Sequence, residues 1–208
     1  MSDKNGTGVS MTLTDRLRHF FQGFLENVGQ ALFKLGISAN AITLLGLSGS
    51  IAASILIARG NLLAGGITLL CTGPLDAFDG AVARAKGKET RFGAFLDSIT
   101  DRYSELIIFF GLILFFLQQQ DDTGVILAFI AAAGSVLVSY TRARAQGVGI
   151  DVKAGFMTRV ERYLVLAPGI IFQIPKISLW IIAILANLTA IQRIWIVMNQ
   201  SKRIEKEK

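Results

Sequence analysis

The chain has 208 residues, of which 52% are hydrophobic and only 17% charged, and its mean hydropathy is +0.53. That balance excludes an ordinary soluble domain and indicates an integral membrane protein. The net charge of +6 does not signal nucleic-acid binding, because the basic residues are scattered among apolar segments without interleaved stacking aromatics.

Residues 1–11 are small, polar and charged and are expected to be disordered. Residues 12–35 place Leu13, Leu17, Phe20, Phe21, Phe24, Leu25, Val28 and Leu32 at helical spacing, with Arg16, Arg18, Glu26 and Lys34 between them. This predicts an amphipathic helix lying in the membrane interface, with His19, the only histidine, at its surface. No small-residue cleavage site follows, so the segment does not read as a signal peptide. Residues 36–200 then form one domain. Six apolar segments, 41–58, 62–82, 93–117, 123–143, 155–173 and 176–198, approach the length of about 20 residues that a spanning helix needs, predicting an all-α protein with six transmembrane helices. Residues 201–208 form a charged tail.

Within those segments the glycines at 46, 49, 65 and 66 point to close helix packing, and Trp180 and Trp195 to helix ends at the interface. Cys71, the single cysteine, excludes an intrachain disulfide and a zinc site built on several cysteines, and reads as a small packed filler. With a cytoplasmic N-terminus, residues 1–40, the links around 84–92 and 142–162, and the tail share one side with nearly every basic residue. Arg59 and Lys176 fall on the other. The expectation is therefore a multi-pass protein of the plasma membrane with both termini cytoplasmic. The run Gln118 to Asp122 is expected simply to end two helices on the far side.

The segment from Asp76 to Asp101 carries the chemistry. Asp76 and Asp79 lie at i,i+3, and Asp97 and Asp101 at i,i+4, so each pair is expected to share a helix face. Two helices joined by the polar link from Ala85 to Thr90 would bring the four carboxylates together, and such a cluster needs a positive charge among it. The pattern Asp76-x2-Asp79-Gly80-x2-Ala83-Arg84-x8-Gly93-x3-Asp97-x3-Asp101 resembles the signature of the CDP-alcohol phosphotransferase family, with eight positions matched at fixed gaps.

That resemblance implies transfer of a phosphatidyl group from CDP-diacylglycerol, or CDP-archaeol, to an acceptor hydroxyl with release of CMP. It implies that Asp76, Asp79 and Asp97 ligate Mg²⁺ or Mn²⁺, two ions being expected, and that Asp101 is the general base and also touches a metal. Carboxylate oxygens suit these ions, and two of them about 3.5–4 Å apart would stabilise the leaving phosphate. Asp76, Asp79, Gly80, Ala83, Arg84 and Thr90 are expected to bind the CDP-lipid: Gly80 by letting it approach the backbone, Arg84 through the diphosphate and Thr90 at the nucleotide. Gly93 would allow close helix contact. A homodimer is expected from the family. Structural ion pairing of the aspartates with Arg84, Arg91 and Arg102 is the plainer alternative.

A second, basic group comprises Arg142, Arg144, Arg159, Arg162 and Arg193. Arginines converging on one cavity suit an anionic, phosphorylated polyol; the alternative is contact with lipid phosphates under the positive-inside rule. Leu96-Asp97-Ser98, Asp101-Arg102 and the run Ser139 to Arg144 resemble the branch of the family whose acceptor is an inositol phosphate. Arg142 stands where lysine is common, and Ala39, before Asn40 and Thr43, where proline is. Tyr103 and Glu105 are candidate supporting residues. Glycerol 3-phosphate is the alternative acceptor. A membrane metal-ion transporter is the rival from another class, though it has no need for Gly80, Arg84 and Gly93 at these gaps; an aspartate-rich membrane prenyltransferase is another, but would show two widely separated acidic motifs and more spans.

Overall fold

The computed structural model describes residues 13–87, 90–152 and 154–206. The expected disorder of residues 1–11 lies outside that range, as do the side chains of residues 13–21 and with them the role expected of His19. Eight α-helices make up the described chain: α1 (Leu13–Lys34), α2 (Ala39–Ala58), α3 (Leu62–Thr72), α4 (Leu75–Ala85), α5 (Arg91–Gln118), α6 (Asp122–Gly147), α7 (Arg159–Ile171) and α8 (Pro175–Lys206). No strand occurs among the described residues.

The helix starts follow capping chemistry. Side chains of Ser38, Asn61, Thr90 and Asp121 accept from the backbone N–H groups of Ala41, Ala64, Gly93 and Gly124, satisfying donors that the first helical turn leaves free. Gly36, Gly60 and Gly87 sit at positive φ in the connections that follow α1, α2 and α4.

Packing closes a ring. α2 lies against α5, α5 against α6, α6 against α8, α8 against α7, α7 against α3, and α3 against α2; α4 packs on α1 and α2. Ile57, Phe109, Leu112, Ala128, Ala131, Ile170, Leu179 and Ile182 fill the interior. The outer faces expose Leu44, Ile51, Phe110, Phe129, Trp180 and Ile184, an apolar surface that suits lipid rather than water.

α2, α6 and α8 are long and apolar enough to cross a membrane. The other three expected spans take different forms. The segment 62–82 is broken into α3 and α4 at Gly73-Pro74, where proline lacks the N–H that would continue the ladder. α5 has 28 residues, but its first 15 include Asp97, Asp101, Arg102 and Glu105. α7 has only 13 residues and starts at 159 rather than 155. Thr158, in extended conformation, is its N-cap, and the Thr158 hydroxyl donates to Glu161 without making a cap bond to the backbone of the first turn. Residues 201–206, expected as a separate tail, continue α8.

The far-side turn does more than end two helices. Lys176 donates from Nζ to both oxygens of Asp121 at 2.7 and 2.8 Å, tying the α5–α6 turn to the start of α8. Those bonds, with the Gly124 N–H, hold the Asp121 carboxyl below its usual pKa.

Glycines set helix approach. A Cβ on Gly49, Gly65 or Gly66 would strike Thr72, Ile57 or Ile171, whereas one on Gly46 would make ordinary contact with Leu75. At Gly111 on α5 a Cβ would lie 2.7 Å from the Ser54 carbonyl oxygen and 3.0 Å from its Cα, and backbone cannot swing aside. Gly111→Ala, remote from the polar end of the bundle, is therefore expected to destabilise the fold by about 1–3 kcal/mol, read as a lower melting temperature of the detergent-solubilised protein.

Candidate active site

The polar cluster lies at the end of the bundle opposite Asp121. The break at Gly73-Pro74 starts a new helix and puts Asp76 in its first turn, where a carboxylate is favoured by the helix dipole. From α5 come Asp97 and Asp101, one turn apart. Asp76, Asp97 and Asp101 each present an oxygen such that all lie within 4.8 Å of one another.

Asp79 does not join them. It is 5% exposed, and its Oδ2 accepts from Thr43 Oγ1 at 2.6 Å. Residues at i,i+3 differ by about 60° around a helix axis, enough to send Asp76 toward α5 and α7 and Asp79 toward α2.

Asp97 Oδ1 is buried and has no hydrogen-bond partner. An orphaned carboxylate oxygen is costly, and here it faces two further carboxylates across less than 5 Å. An all-oxygen, negatively charged donor set of this kind fits Mg²⁺ or Mn²⁺.

The positive charge that the cluster demands comes from α7. Arg159 Nη1 donates to Asp76 Oδ2 and forms an ion pair with Asp101 Oδ1 at 2.7 Å. Arg102 stands 3.6 Å from Asp101 Oδ2. Among the described residues neither Arg84 nor Arg91 forms an ion pair with the aspartates, so the alternative that assigned them this task names the wrong side chains in two cases of three.

Two cavities flank the carboxylates. A small one of about 70 Å³ is lined by Asp76, Asp101, Glu105, Arg159, Arg162 and Tyr163. The larger, about 410 Å³, is lined by Asp79, Gly80, Ala83, Arg84, Thr90 and Asp97, with Asn40 and Thr43 from α2. The only atom that a Cβ on Gly80 would meet is Arg84 Nη1 at 3.3 Å, so the glycine leaves that wall open. Gly93 has two neighbours: a Cβ there would stand 3.5 Å from Asn40 Oδ1 of α2, a helix contact as expected, and would also meet the cap of its own helix. That Cβ would lie 2.9 Å from Thr90 Oγ1, and the small residue serves the helix cap, to which its own N–H donates at 3.0 Å.

The five arginines do not converge. Arg159 is on the aspartates. Arg162, 2% exposed, donates to Glu105 from Nε at 2.6 Å and Nη2 at 2.9 Å, and to the Met157 carbonyl at 3.1 Å. Arg193, 3% exposed, donates to the carbonyls of Ala154 and Val138. Arg142 and Arg144 are exposed on the last turns of α6. A buried guanidinium takes whatever acceptors lie within reach, because leaving its donors unpaired costs more than any distant role gains.

Sequence reasoning passed over three features. Thr43 was signalled by Asn40 at i,i+3, a polar face on an otherwise apolar helix. Glu105 was noted only as a candidate, although it lies at i,i+4 from Asp101 and so faces the same neighbour. The Tyr163 hydroxyl donates to the Leu69 carbonyl, and its ring fills the space over Gly73; no sequence signal pointed there. Tyr103 is exposed.

Fold and site together define a membrane-embedded helical enzyme with a carboxylate centre for divalent cations. Comparison with known proteins gives the family: CDP-alcohol phosphatidyltransferase matches residues 36–197, and the chain belongs to it. It is 39% identical to archaetidylinositol phosphate synthase of Pyrococcus horikoshii over 87% of this chain and 93% of that one. To phosphatidylinositol phosphate synthase of Mycobacteroides abscessus it is 31% identical over 85% and 84%. Among solved structures it resembles Mycobacterium tuberculosis phosphatidylinositol phosphate synthase with CDP-DAG bound (TM-score 0.77, 30% identity, 83% of this chain and 92% of that one). The same enzyme with manganese and citrate gives a TM-score of 0.79.

The Glu105–Arg162 pair makes its own prediction. Arg162→Met should cost about 3–5 kcal/mol by leaving Glu105 without its partner in a largely buried site. The double replacement Glu105→Leu with Arg162→Met should recover most of that, as a thermal-melt mutant cycle in detergent would report.

Proposed function

We propose that this enzyme transfers the phosphatidyl group of CDP-diacylglycerol to the hydroxyl of an inositol phosphate, releasing CMP. The single observation that carries the reading is the meeting of Asp76, Asp97 and Asp101 within 4.8 Å on the family's motif. The acceptor is supported by relatives named phosphatidylinositol phosphate and archaetidylinositol phosphate synthases. The donor is supported by the CDP-DAG complex of the tuberculosis enzyme. Because one relative is an archaetidyl enzyme, CDP-archaeol belongs in the test.

In this reading Asp76, Asp97 and Asp101 hold the divalent cation, and Asp79 would have to turn from its bond to Thr43 to join them. When bound, the metal neutralises the diphosphate and stabilises the leaving phosphate. The remaining work falls to the chain's own groups. Gly80, Ala83, Arg84 and Thr90 line the larger cavity and receive the CDP end, Gly80 by leaving room and Arg84 by charge-assisted bonds. Asp101 takes the acceptor's hydroxyl proton as the acceptor oxygen bonds to the lipid-side phosphorus and the phosphorus–oxygen bond to CMP breaks. Arg159, on the small-cavity side, is placed to meet the acceptor's phosphate. Arg142 and Arg144 are exposed enough to draw that anion in, while Arg162 and Arg193 act through the packing of α7 and of residues 148–152 and 154–158.

The same reading takes α3 with α4 as one broken crossing and α5 and α7 as two more, giving six spans, with an interfacial α1. The excess of basic residues at the site end supports a cytoplasmic location for both termini and the active site. A homodimer is part of the proposal on family grounds.

The test is CMP release by the purified protein given CDP-diacylglycerol or CDP-archaeol and Mn²⁺, with inositol 1-phosphate and glycerol 3-phosphate offered separately. Release with inositol 1-phosphate alone supports the assignment; release with glycerol 3-phosphate alone overturns the acceptor and keeps the class. Asp101→Asn should lower turnover by about 10²-fold or more while CDP-lipid binding persists. EDTA should abolish CMP release, and added Mn²⁺ should restore it.

A further inference from the structure

Among the described residues Arg159 is the one cation that touches two of the three clustered carboxylates. It reaches them from α7, bonding Asp76 on α4 and Asp101 on α5 at once. Its own helix is fixed one turn further on by Arg162, whose guanidinium is clamped to Glu105 of α5. Asp101 and Glu105 lie at i,i+4 on α5 and Arg159 and Arg162 at i,i+3 on α7, so the two ion pairs form a two-rung ladder between the helices. The lower rung is buried and bidentate. The upper rung is about one-third exposed at the arginine, 38%, against 13% at Asp101, and opens on the small cavity. One rung is built to hold and the other is free to move.

A divalent cation at the same three carboxylates would sit within a few ångströms of the guanidinium, and like charges at that range in a poorly solvated site repel strongly. We propose that Arg159 and the divalent cation compete for Asp76 and Asp101, so that metal binding swings Arg159 off the carboxylates and into the small cavity, where an anionic acceptor meets it. The Glu105–Arg162 rung keeps the α7 backbone in place while the Arg159 side chain moves. This rests on the reading of Asp76, Asp97 and Asp101 as cation ligands. It adds an order of events: the site for the acceptor's phosphate forms only after the metal is in place.

The experiment titrates Mn²⁺ into the purified full-length protein by calorimetry, without lipid or acceptor. Arg159→Gln removes the competing charge and is expected to bind Mn²⁺ about tenfold or more tightly than the unaltered protein, whereas Arg159→Lys, which keeps the charge, stays close to it. Equal or weaker binding by Arg159→Gln overturns the competition. Failure of the unaltered protein and Arg159→Gln alike to bind Mn²⁺ overturns the metal-site reading beneath it. A second measurement needs no variant: Mn²⁺ should speed the modification of Arg159 by phenylglyoxal, followed by mass spectrometry of the Arg159 peptide. An unchanged or slower rate overturns the proposal even if Arg159→Gln fails to fold.

Discussion

Everything at the polar end of this molecule follows from the cost of holding carboxylates together inside an apolar bundle. Asp76, Asp97 and Asp101 bring oxygens within 4.8 Å of one another, an arrangement that charge repulsion alone would scatter. Opposite charge must be delivered at that point, and the short helix α7 delivers it. Its irregular lead-in, residues 148–152 and 154–158, is pinned by buried Ile150, Val152 and Met157 and by the bond from Arg193 to the Ala154 carbonyl. That fixes where α7 begins, and so the reach of Arg159. Had α7 been a regular span beginning four residues earlier, residues 155–158 would have been drawn into the helix and this lead-in lost.

The same constraint accounts for the shape of the bundle. α5 is polar in its first half and buries Ile108, Phe109, Leu112, Phe115 and Phe116 in its second, so one helix carries both the charged site and the middle of the core. The break between α3 and α4 serves the site directly. A continuous helix would give Asp76 no nearby free N–H groups, whereas the interruption at Pro74 places it in a first turn. Gly73 at that break leaves room for the ring of Tyr163, which carries α7 against α3 beneath the site.

Spacing made the aspartate motif legible, since helical periodicity alone brings Asp97 and Asp101 to one face and Asp76 across from them. It could not show that Asp79 turns to Thr43, because i,i+3 neighbours share a face only loosely and the tertiary partner decides which way each goes. The long apolar helices α2, α6 and α8 were readable from hydropathy. α3, α4 and α7 were not, because hydropathy averages over a Gly-Pro break and over a folded loop that buries its apolar residues as thoroughly as a helix does. Thr158, of a residue type favoured as N-cap, would have corrected the start of α7. The arginines were the hardest to read. Their positive charge is plain in sequence, but whether a guanidinium faces a cavity, a carboxylate or a carbonyl depends on acceptors supplied by other helices, as Glu105 does for Arg162 and Val138 for Arg193.

The position of the three carboxylates between two cavities limits what the site can do. Asp97 faces the larger cavity, with Asp79, Gly80 and Arg84, and Asp76 and Asp101 face the smaller, with Arg159. Group transfer needs donor and acceptor on opposite sides of the reacting phosphorus, held near attack distance, and a shared carboxylate wall provides that division without any moving domain. It also separates two demands on charge. In the proposed reading the larger side needs open backbone and one flexible cation for a diphosphate, which Gly80 and Arg84 would supply. In that reading the smaller side needs a cation that leaves the carboxylates when a phosphate is present, a requirement that a guanidinium on a clamped helix would meet. Arg159 reaches both carboxylates through the single atom Nη1, a contact that a lysine could imitate, but a lysine would lack the planar fork that suits a phosphate, so the identity of this residue, beyond its sign, belongs to the design of the site.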